Sequence, residues 1–471
     1  MKFCEKLYFY GRGEKSVGSE SERSLRERGM EKIVSVRWQI LYLLTFVSLV
    51  RSMDAVNFSV AAKQIMPEYG LTNVQMGVLY TAFTLGYGVF HIPGGWLGDV
   101  VGPRLTLTVA ILWWSVFTGL TAMAGDMLFL TPFWAFLFVR FLIGLGEGAA
   151  YPNSNKAIAS WMAADERGLA AGIVFTGLGL GYGLAPPVVA WVMVHYGWRL
   201  AFYAFAVAGI LLAALWYGYM RDRPEEHHRV SQEELRRIRG ESMPEPQQGS
   251  SYRSTPWRTL LTDRNVVLLS STAFCLGYVA YIYQSWFYLY LVNVRGFSVV
   301  RGGFFATGPF LAITVLCPLG GLLSDALAHR YGRTRGRRAA AMVGCLSSAL
   351  FIYIGAGATD PYLAVLLLSL GDGLLYSTVG SLWSATVDIS GEHTGTVYGV
   401  VGMWAQIGGA VAPTLTPIIA DRFGWEIAIH VAALVAFVGG MIWLAIDASK
   451  RIEVEERVPV HPPEAVLVQD K

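Results

Sequence analysis

Charged side chains inside long apolar segments are the residues of this sequence best suited to chemistry. Asp54, Arg140 and Glu147 lie within stretches that are otherwise almost wholly apolar, although an ionised side chain at the centre of a bilayer costs at least about 2.5–3.5 kcal/mol. A carboxylate that faces an aqueous cavity, beside a cation that can leave it, can bind and release a proton. These residues therefore predict a proton pathway, and the alternative is a static buried pair that only locks two helices together.

The spacing of these residues gives the first assignment of roles. Glu147 follows Arg140 by seven residues, so both lie on one helix face, about two turns apart. We predict that Glu147 carries a coupled proton near Arg140. Arg51 and Asp54 are three residues apart and share one side of a helix. Arg51 is predicted to bind an anionic substrate, and the alternative is that it faces a neighbouring helix as a structural ion pair.

The composition identifies the elements that hold these residues as membrane spans. Of 471 residues, 54% are hydrophobic and 15% are charged, whereas soluble domains carry about 25% charged residues. Twelve apolar stretches are long enough to cross a hydrocarbon core of about 30 Å, which predicts an all-α membrane protein with twelve transmembrane helices. The predicted spans are 38–60, 76–97, 104–124, 131–153, 168–193, 199–219, 265–292, 300–323, 338–357, 361–388, 395–420 and 425–446.

Lys and Arg residues are concentrated in the first 37 residues, in the loop 221–264 and between Arg330 and Arg338. By the positive-inside rule, these segments and both termini are cytoplasmic. The predicted organisation is an N-terminal tail (1–37), a six-helix bundle (38–220), a central loop (221–264), a second six-helix bundle (265–446) and a C-terminal tail (447–471). Within the loop, residues 231–239 predict a short amphipathic helix that begins with a capping box.

The sequence repeats itself with a nearly constant offset. Asp99 of the first half recurs as Asp325 in the second. The run Leu-Gly-Glu-Gly that contains Glu147 recurs at almost the same offset as Leu-Gly-Asp-Gly, which contains Asp372. The chain therefore consists of two parallel six-helix halves.

The loop that repeats around Asp99 has a physical use in each copy. Its glycines let helices approach closely, and its Asp can cap a helix or meet an Arg. We predict a conformational gate at this loop, and the alternative is a plain turn between helices. The predicted gate residues are Gly95, Asp99, Gly102, Arg104, Asp325 and Arg333.

The spacing of Gly95, Asp99, Gly102 and Arg104 resembles the signature loop of the major facilitator superfamily. Four further regions resemble its anion:cation symporter family. They are 53–61 (Met-Asp-Ala-Val-Asn-Phe-Ser-Val-Ala), 90–96 (Phe-His-Ile-Pro-Gly-Gly-Trp), 140–147 (Arg-Phe-Leu-Ile-Gly-Leu-Gly-Glu) with Pro152 and Asn153, and 286–291 (Trp-Phe-Tyr-Leu-Tyr-Leu) with 295–298. The resemblance implies two bundles related by a pseudo-twofold axis and proton-coupled transport of sugar acids or other carboxylates. It also implies that Glu147 couples the proton, that Arg140 is its switchable partner and that Asp54 belongs to the coupling machinery.

The sequence departs from that family where an anion is expected to bind. Ala55 stands where relatives usually have Arg, His91 where they often have Gln, and Asp372 where they usually have Asn. Arg51, one turn earlier, can supply the missing charge, whereas the additional acid puts an ordinary dicarboxylate substrate in doubt. The predicted substrate-binding residues are Arg51, Asn57, Tyr87, His91, Gln284, Trp286 and Asp372.

The predicted function is secondary active transport, specifically proton-coupled symport of a small organic anion by alternating access. The alternative is a proton-coupled exporter of a metabolite or drug. An enzyme is not expected, because nothing like H-E-x-x-H or G-x-S-x-G is present. We expect a monomer in the plasma membrane, with H⁺ as coupling ion and the lipid bilayer around it, without cofactor, metal or nucleic acid.

Overall fold

The computed structural model describes residues 35–163, 165–239, 261–390 and 394–452. Most of the predicted N-terminal tail and of the predicted C-terminal tail lies outside the described residues. Apart from turns and short 3₁₀ segments, the described residues form α-helices, which we number in chain order. The helices are α1 (Val36–Tyr69), α2 (Asn73–Val101), α3 (Pro103–Ala124), α4 (Pro132–Gly148), α5 (Ala150–Trp161), α6 (Arg167–Tyr196), α7 (Trp198–Tyr219), α8 (Gln232–Arg239), α9 (Arg264–Asn293), α10 (Val299–Phe305), α11 (Gly308–Tyr331), α12 (Arg333–Gly357), α13 (Pro361–Tyr376), α14 (Val379–Ser390), α15 (Thr394–Phe423) and α16 (Trp425–Ile442).

The predicted all-helical membrane fold is confirmed. Among the described residues, ten helical segments are long and apolar enough to cross a membrane. The helices α2 and α15 coincide with the remaining two predicted spans. Three predicted spans each consist of two consecutive helices, namely α4 with α5, α10 with α11, and α13 with α14.

The chain divides into two compact units. Of the described residues, unit one contains those from 35 to 239 and 284–311, and unit two contains 261–283 and those from 312 to 452. Within unit one, α1 packs against α6, α2 against α4, and α3 against α7. Within unit two, α12 packs against both α13 and α16.

Close contact between α2 and α4 fixes the position of the charged residues on α4. A Cβ atom on Gly144 would lie 2.1 Å from the Phe83 carbonyl oxygen, and one on Gly86 would lie 2.2 Å from the Phe141 carbonyl oxygen. The two helices thus meet backbone to backbone, which small residues allow in membrane proteins. Neither glycine can be replaced without a shift between α2 and α4, and α4 carries two of the predicted proton-coupling residues, Arg140 and Glu147.

The turns between helices repeat as the sequence motifs do. Six glycines of the described residues have positive φ angles, and they form three pairs at nearly the offset of the sequence repeat. This conformation is accessible to Gly but costly for residues with a Cβ atom. The pairs are Gly70 with Gly296, Gly102 with Gly332, and Gly197 with Gly424.

The predicted short helix of the central loop is present as α8 and is bound to unit one. The Ser231 hydroxyl accepts a hydrogen bond from the Glu234 amide at 3.1 Å, which is one half of the predicted capping box. The Glu234 carboxylate does not complete the box and instead accepts the backbone N–H of Arg37 at 2.8 Å. Arg37 lies in the first turn of α1, so an acid of the central loop caps the first helix of the bundle.

An ion pair adds to this contact. The Arg237 guanidinium lies 2.6 Å from Asp165, in the turn that precedes α6. The hydrogen bond from Arg237 holds the pKa of the Asp165 carboxyl below its ordinary value. We call the contacts of Glu234 and Arg237 with the bundle the loop clamp.

Candidate transport site

The centre of unit one contains a buried ion pair between α1 and α4. Arg51 donates from one terminal nitrogen to Glu147 Oε2 at 3.1 Å, and the two side chains are only 5% and 0% exposed. The second carboxylate oxygen of Glu147 has no hydrogen-bond partner in the described part of the chain. The pair therefore uses half of the acceptor capacity of the acid, and the other half is open to a proton.

Tyrosine rings surround the guanidinium of this pair. Arg51 donates from its other terminal nitrogen to the Tyr151 hydroxyl at 3.4 Å and lies 4.7 Å from the centre of the Tyr151 ring. The Tyr87 ring centre is 5.8 Å away, and Tyr182 also interacts with Arg51. Aromatic faces stabilise a cation without neutralising it. Arg51 can thus keep its charge when it exchanges one anion for another.

The direct ion-pair partner of Glu147 is Arg51, whereas Arg140, its predicted partner, acts on it only as a more distant charge. The Arg140 guanidinium lies between two aromatic rings, 4.6 Å from the centre of Phe58 and 4.4 Å from that of Phe83. It forms no ion pair with any described residue, and its Nε atom has no hydrogen-bond partner there. The reason is distance, because seven residues of helix separate Arg140 from Glu147 by about 10 Å along the axis. Arg51 reaches Glu147 from the neighbouring helix instead.

Asp54 lies one turn beyond Arg51 on α1 and has a separate partner. Its Oδ2 atom accepts a hydrogen bond of 2.6 Å from the Thr118 hydroxyl on α3. Its charge interacts with those of Arg140 and Arg51. Asn57 is fully buried on the same helix, and both polar atoms of its amide lack a hydrogen-bond partner among the described residues.

The remaining predicted substrate residues are spread over both units. In unit one, His91 is exposed and its ring centre lies 5.5 Å from that of Tyr87. Trp286 is buried and contacts the Tyr80 ring edge-on, with centres 5.5 Å apart, and Gln284 is half-buried in α9. Asp372 is buried in unit two and forms no ion pair with a described residue. Within unit one, the structure thus brings Arg51, Glu147, Tyr87 and His91 together, because the Tyr87 ring lies near both Arg51 and His91.

Sequence comparison assigns the family. Residues 44–413 match the model of the major facilitator superfamily. This chain belongs to the major facilitator superfamily. It is therefore a multi-pass membrane transporter and not an enzyme.

Relatives within the superfamily are anion transporters by name. The chain is 34% identical over 420 residues to the probable sulfoacetate transporter SauU of Cupriavidus necator, covering 89% of this chain and 95% of the relative. It is 30% identical over 398 residues to the probable galactarate/D-glucarate transporter GudP of Bacillus subtilis, covering 82% and 86%. A bacterial homologue of the human lysosomal transporter Spinster, solved in an inward-facing, unoccupied conformation, superimposes with a TM-score of 0.73 over 88% of this chain and 97% of that one. At 18% identity, that match shows the superfamily fold alone.

The superfamily loop after α2 forms contacts that the sequence did not indicate. Asp99 pairs with Lys156 of α5 at 2.7 Å. The first turn of α3 is capped by Asp222, which accepts the backbone N–H of Arg104 at 2.9 Å. Arg104 donates its guanidinium to the Tyr217 carbonyl oxygen at 2.9 Å. The loop is thus fastened to α5 and to the end of α7 by side chains of unit one.

Two glycines of the predicted gate shape this loop. Gly102 has a φ angle of 95°, which a residue with a Cβ atom rarely adopts. A Cβ atom on Gly95 would lie 3.3 Å from a side-chain carbon of Pro152 on α5. The first glycine is needed for the turn, and the second lets α2 approach α5.

The second copy of the loop is a network of its own. Arg337 pairs with Asp325 at 3.1 Å and with Asp388 at 2.6 Å. Arg333 lies 3.9 Å from Asp388. In both copies the loop acid pairs with a cation of the same unit, and the gating role of the loop stays a prediction.

Several residues of the site were missed from the sequence. Tyr151 follows Glu147 by four residues and so lies on the same helix face, a signal that could have identified it. Thr118 lies in an apolar span, where a single hydroxyl carries no signal. Phe58 and Phe83 could not be told from packing residues, because their function depends on the cation that lies between them.

Proposed function

We propose that this chain is a proton-coupled symporter that imports a small organic anion across the plasma membrane. It acts as a monomer with both termini in the cytoplasm. The observation that carries the proposal is the buried pair of Arg51 and Glu147, with a contact of 3.1 Å. The cytoplasmic termini are supported by the distribution of Lys and Arg along the sequence.

The pair couples the two ions by exchange. With Glu147 ionised, Arg51 is neutralised by it; with Glu147 protonated, Arg51 is released to bind the substrate anion. A proton alone would leave Arg51 buried without a counter-ion, and an anion alone would place two negative charges on one guanidinium. Both states are costly in a low-dielectric interior, so proton and anion bind together.

The substrate is a short molecule with an acidic group at each end. Arg51 contacts Glu147, and Arg140 lies about 10 Å from Glu147 along α4, so the site contains two separate cations. Arg140 forms no ion pair with a described acid; Phe58 and Phe83 flank its guanidinium, and the charges of Asp54 and Glu147 act on it only from a distance. Relatives named for sulfoacetate and for galactarate or D-glucarate support diacids with carboxylate or sulfonate groups.

Transport by purified protein in liposomes tests this function. With an acidic exterior, labelled sulfoacetate or D-glucarate should accumulate inside against its gradient. The variant Glu147→Gln should lose accumulation but retain exchange of labelled for unlabelled substrate, which needs no net proton movement. Glu68→Gln is the matched control, because that acid pairs with Arg199 near the far end of α1.

Two results would contradict the proposal. Accumulation that survives Glu147→Gln would show that another group couples the proton. Substrate that leaves the liposomes as protons enter would make the protein an exporter.

A further inference from the structure

Asp372 of unit two occupies the position that Glu147 has in unit one. The repeated run Leu-Gly-acid-Gly aligns the two acids with one another. Both lie near the end of the first of two helices that form one span, since α4 ends at Gly148 and α13 at Tyr376. The two halves therefore have an acid at the same position of the fold.

The helices α11 and α12 pack closely against α13 on both sides of Asp372, and the side chains that they present there are apolar. A Cβ atom on Gly371 would lie 2.7 Å from a side-chain carbon of Ile352 on α12, and one on Gly373 would lie 2.7 Å from the Ala312 side chain on α11. Asp372 is 1% exposed, and its Oδ1 atom has no hydrogen-bond partner in the described part of the chain. On its own helix, Ser369 is a buried hydroxyl without a described partner one turn earlier.

On the helices that pack against α13, the charged residues lie far from Asp372. The nearest charged residue to Ala312 on α11 is Asp325, and the nearest to Ile352 on α12 is Arg338; they are about 20 Å away along their helices. On α13 itself, Asp372 is the only charged residue.

The titratable groups that lie nearer are phenols and thiols, which are uncharged at neutral pH. Tyr283 of α9 donates its hydroxyl to the Leu368 carbonyl oxygen at 2.9 Å, one turn from Asp372. Tyr353 of α12 is exposed and stacks on His430 of α16, with ring centres 4.4 Å apart. Tyr362 and Tyr376 lie at the two ends of α13, and Cys317 and Cys345 lie on α11 and α12. The phenols and thiols supply no positive charge to the acid, and the His430 imidazole lies against the exposed Tyr353 ring.

Unit two has no counterpart of the cations that accompany Glu147. The offset of the repeat places Gly277 at the position of Arg51 and Val365 at the position of Arg140. Gly277 could not become an arginine, because a Cβ atom there would lie 1.9 Å from the Ala405 carbonyl oxygen. In unit two, the position equivalent to Arg51 thus has no room for an arginine.

A buried carboxylate without a partner is unstable as an anion, so its charge must be balanced by a cation from outside the chain. A proton needs only one carboxyl oxygen. A sodium ion needs a shell of several oxygen ligands, and the described face of α13 adds one hydroxyl, that of Ser369, to the carboxylate. The site therefore suits a proton.

We propose that Asp372 binds a second transported proton, so that each substrate molecule moves with one proton on Glu147 and one on Asp372. This inference rests on the proposed function. A carboxylate takes up a proton on one side of the membrane and releases it on the other. Two protons balance a substrate with two negative charges, so its uptake is independent of the membrane potential.

The proton-to-substrate ratio tests this inference in liposomes that contain purified protein. With the membrane potential held at zero and a gradient of one pH unit, the wild type should accumulate a diacid about 100-fold at equilibrium, because each coupled proton contributes about tenfold per pH unit. Asp372→Asn, which keeps the shape of the side chain, should accumulate it about tenfold. Uptake by the variant should also become sensitive to the potential and fall when the interior is made negative. Ser369→Ala is the control and should behave as the wild type.

The outcomes distinguish failure of the second-proton assignment from failure of the proposed transport function. If the wild type does not accumulate substrate in response to a pH gradient, the proposed function fails. If it does, and folded Asp372→Asn keeps the same ratio, the second proton is not on Asp372. Loss of substrate exchange in folded Asp372→Asn, or a sodium-driven uptake that this variant removes, would equally overturn the inference.

Discussion

In unit one, the acid of the repeated Leu-Gly-acid-Gly run meets Arg51 at 3.1 Å; in unit two, the equivalent Asp372 meets no cation among the described residues. Both acids are almost fully buried, with exposures of 0% and 1%. The same position of one fold thus holds a paired and an unpaired acid. Burial alone therefore does not distinguish the two carboxylates, whereas the presence of a counter-charge does.

Removing a buried charge should cost stability in unit one but not in unit two. Removing one partner of a buried pair leaves the other charge buried without compensation. Neutralising an unpaired acid leaves no charge without a partner. Variants of both units therefore test the comparison directly.

The largest effect is expected for Arg51→Ala. It leaves Glu147 buried without its cation, which should lower the free energy of unfolding by about 3–5 kcal/mol and abolish binding of an anionic substrate. Adding Glu147→Gln should restore stability but not binding. Thermal unfolding and ligand binding of the purified variants measure the two effects. Full affinity in folded Arg51→Ala would mean that Arg51 is a structural residue and that the anion is held elsewhere.

A smaller loss of stability is expected for Thr118→Val, a change that preserves shape. The Thr118 hydroxyl is the hydrogen-bond donor to Asp54 at 2.6 Å, and its loss should cost about 1–3 kcal/mol because a buried acceptor is left without its donor. Thr121→Val is the control, since that hydroxyl bonds to its own helix at the Phe117 carbonyl oxygen. Equal unfolding temperatures for the two variants would show that Asp54 does not depend on Thr118.

Arg140→Leu should affect binding more than stability. The change removes a cation that forms no ion pair with a described acid, so Asp54 and Glu147 keep their hydrogen-bond partners Thr118 and Arg51. We expect about tenfold weaker binding of a diacid, equal to about 1.4 kcal/mol. A monoacid that uses only the Arg51 end should bind as before. Dissociation constants of succinate and propionate, measured on the same preparation, compare a diacid with a monoacid. An equal loss of affinity for both would show that the second acidic group does not bind Arg140.

The loop clamp provides a charged pair outside the membrane for comparison. The pKa of Asp165 lies below its ordinary value of about 3.9, so the stabilisation by the pair is complete above that value and is lost as the pH falls through the lower, folded value. Asp165→Asn should therefore leave the pH profile of transport unchanged between about pH 5 and 8, where Glu147→Gln should flatten it. Uptake rates across that range check both variants. A shifted profile in Asp165→Asn would show that the loop clamp takes part in coupling.

The smallest effect on stability is expected for Asp372→Asn. Because the acid has no cation to lose, the free energy of unfolding should fall by much less than the about 3–5 kcal/mol expected for Arg51→Ala. Thermal unfolding of Asp372→Asn and Arg51→Ala, measured under the same conditions, compares the two losses of stability. A loss similar to that of Arg51→Ala would reveal a partner for Asp372 and remove the contrast between the units.

Much of the fold was predictable because its signals are local. Apolar length indicated the spans, and the repeat indicated two equivalent halves, which the paired positive-φ glycines show again in the turns. The partner of Glu147 was not predictable, because the sequence gives spacing along one helix but not which side chain of a neighbouring helix reaches across. Arg140 was expected near Glu147 for that reason, and the aromatic rings of Phe58 and Phe83 hold it instead. The roles of Asp54, Asn57, His91, Gln284 and Trp286 stay predictions.

The loop clamp has a consequence for dividing the protein into two polypeptides. The sequence places the boundary of the first bundle at residue 220, but Glu234 caps α1 and Arg237 holds Asp165. A gene divided after codon 220 would place Glu234 and Arg237 on the second polypeptide, away from the helices that they contact. A division after codon 239 keeps both residues on the same polypeptide as α1 and α6. Co-expressed fragments divided at the later position should reassemble into a working carrier more efficiently than those divided at the earlier one.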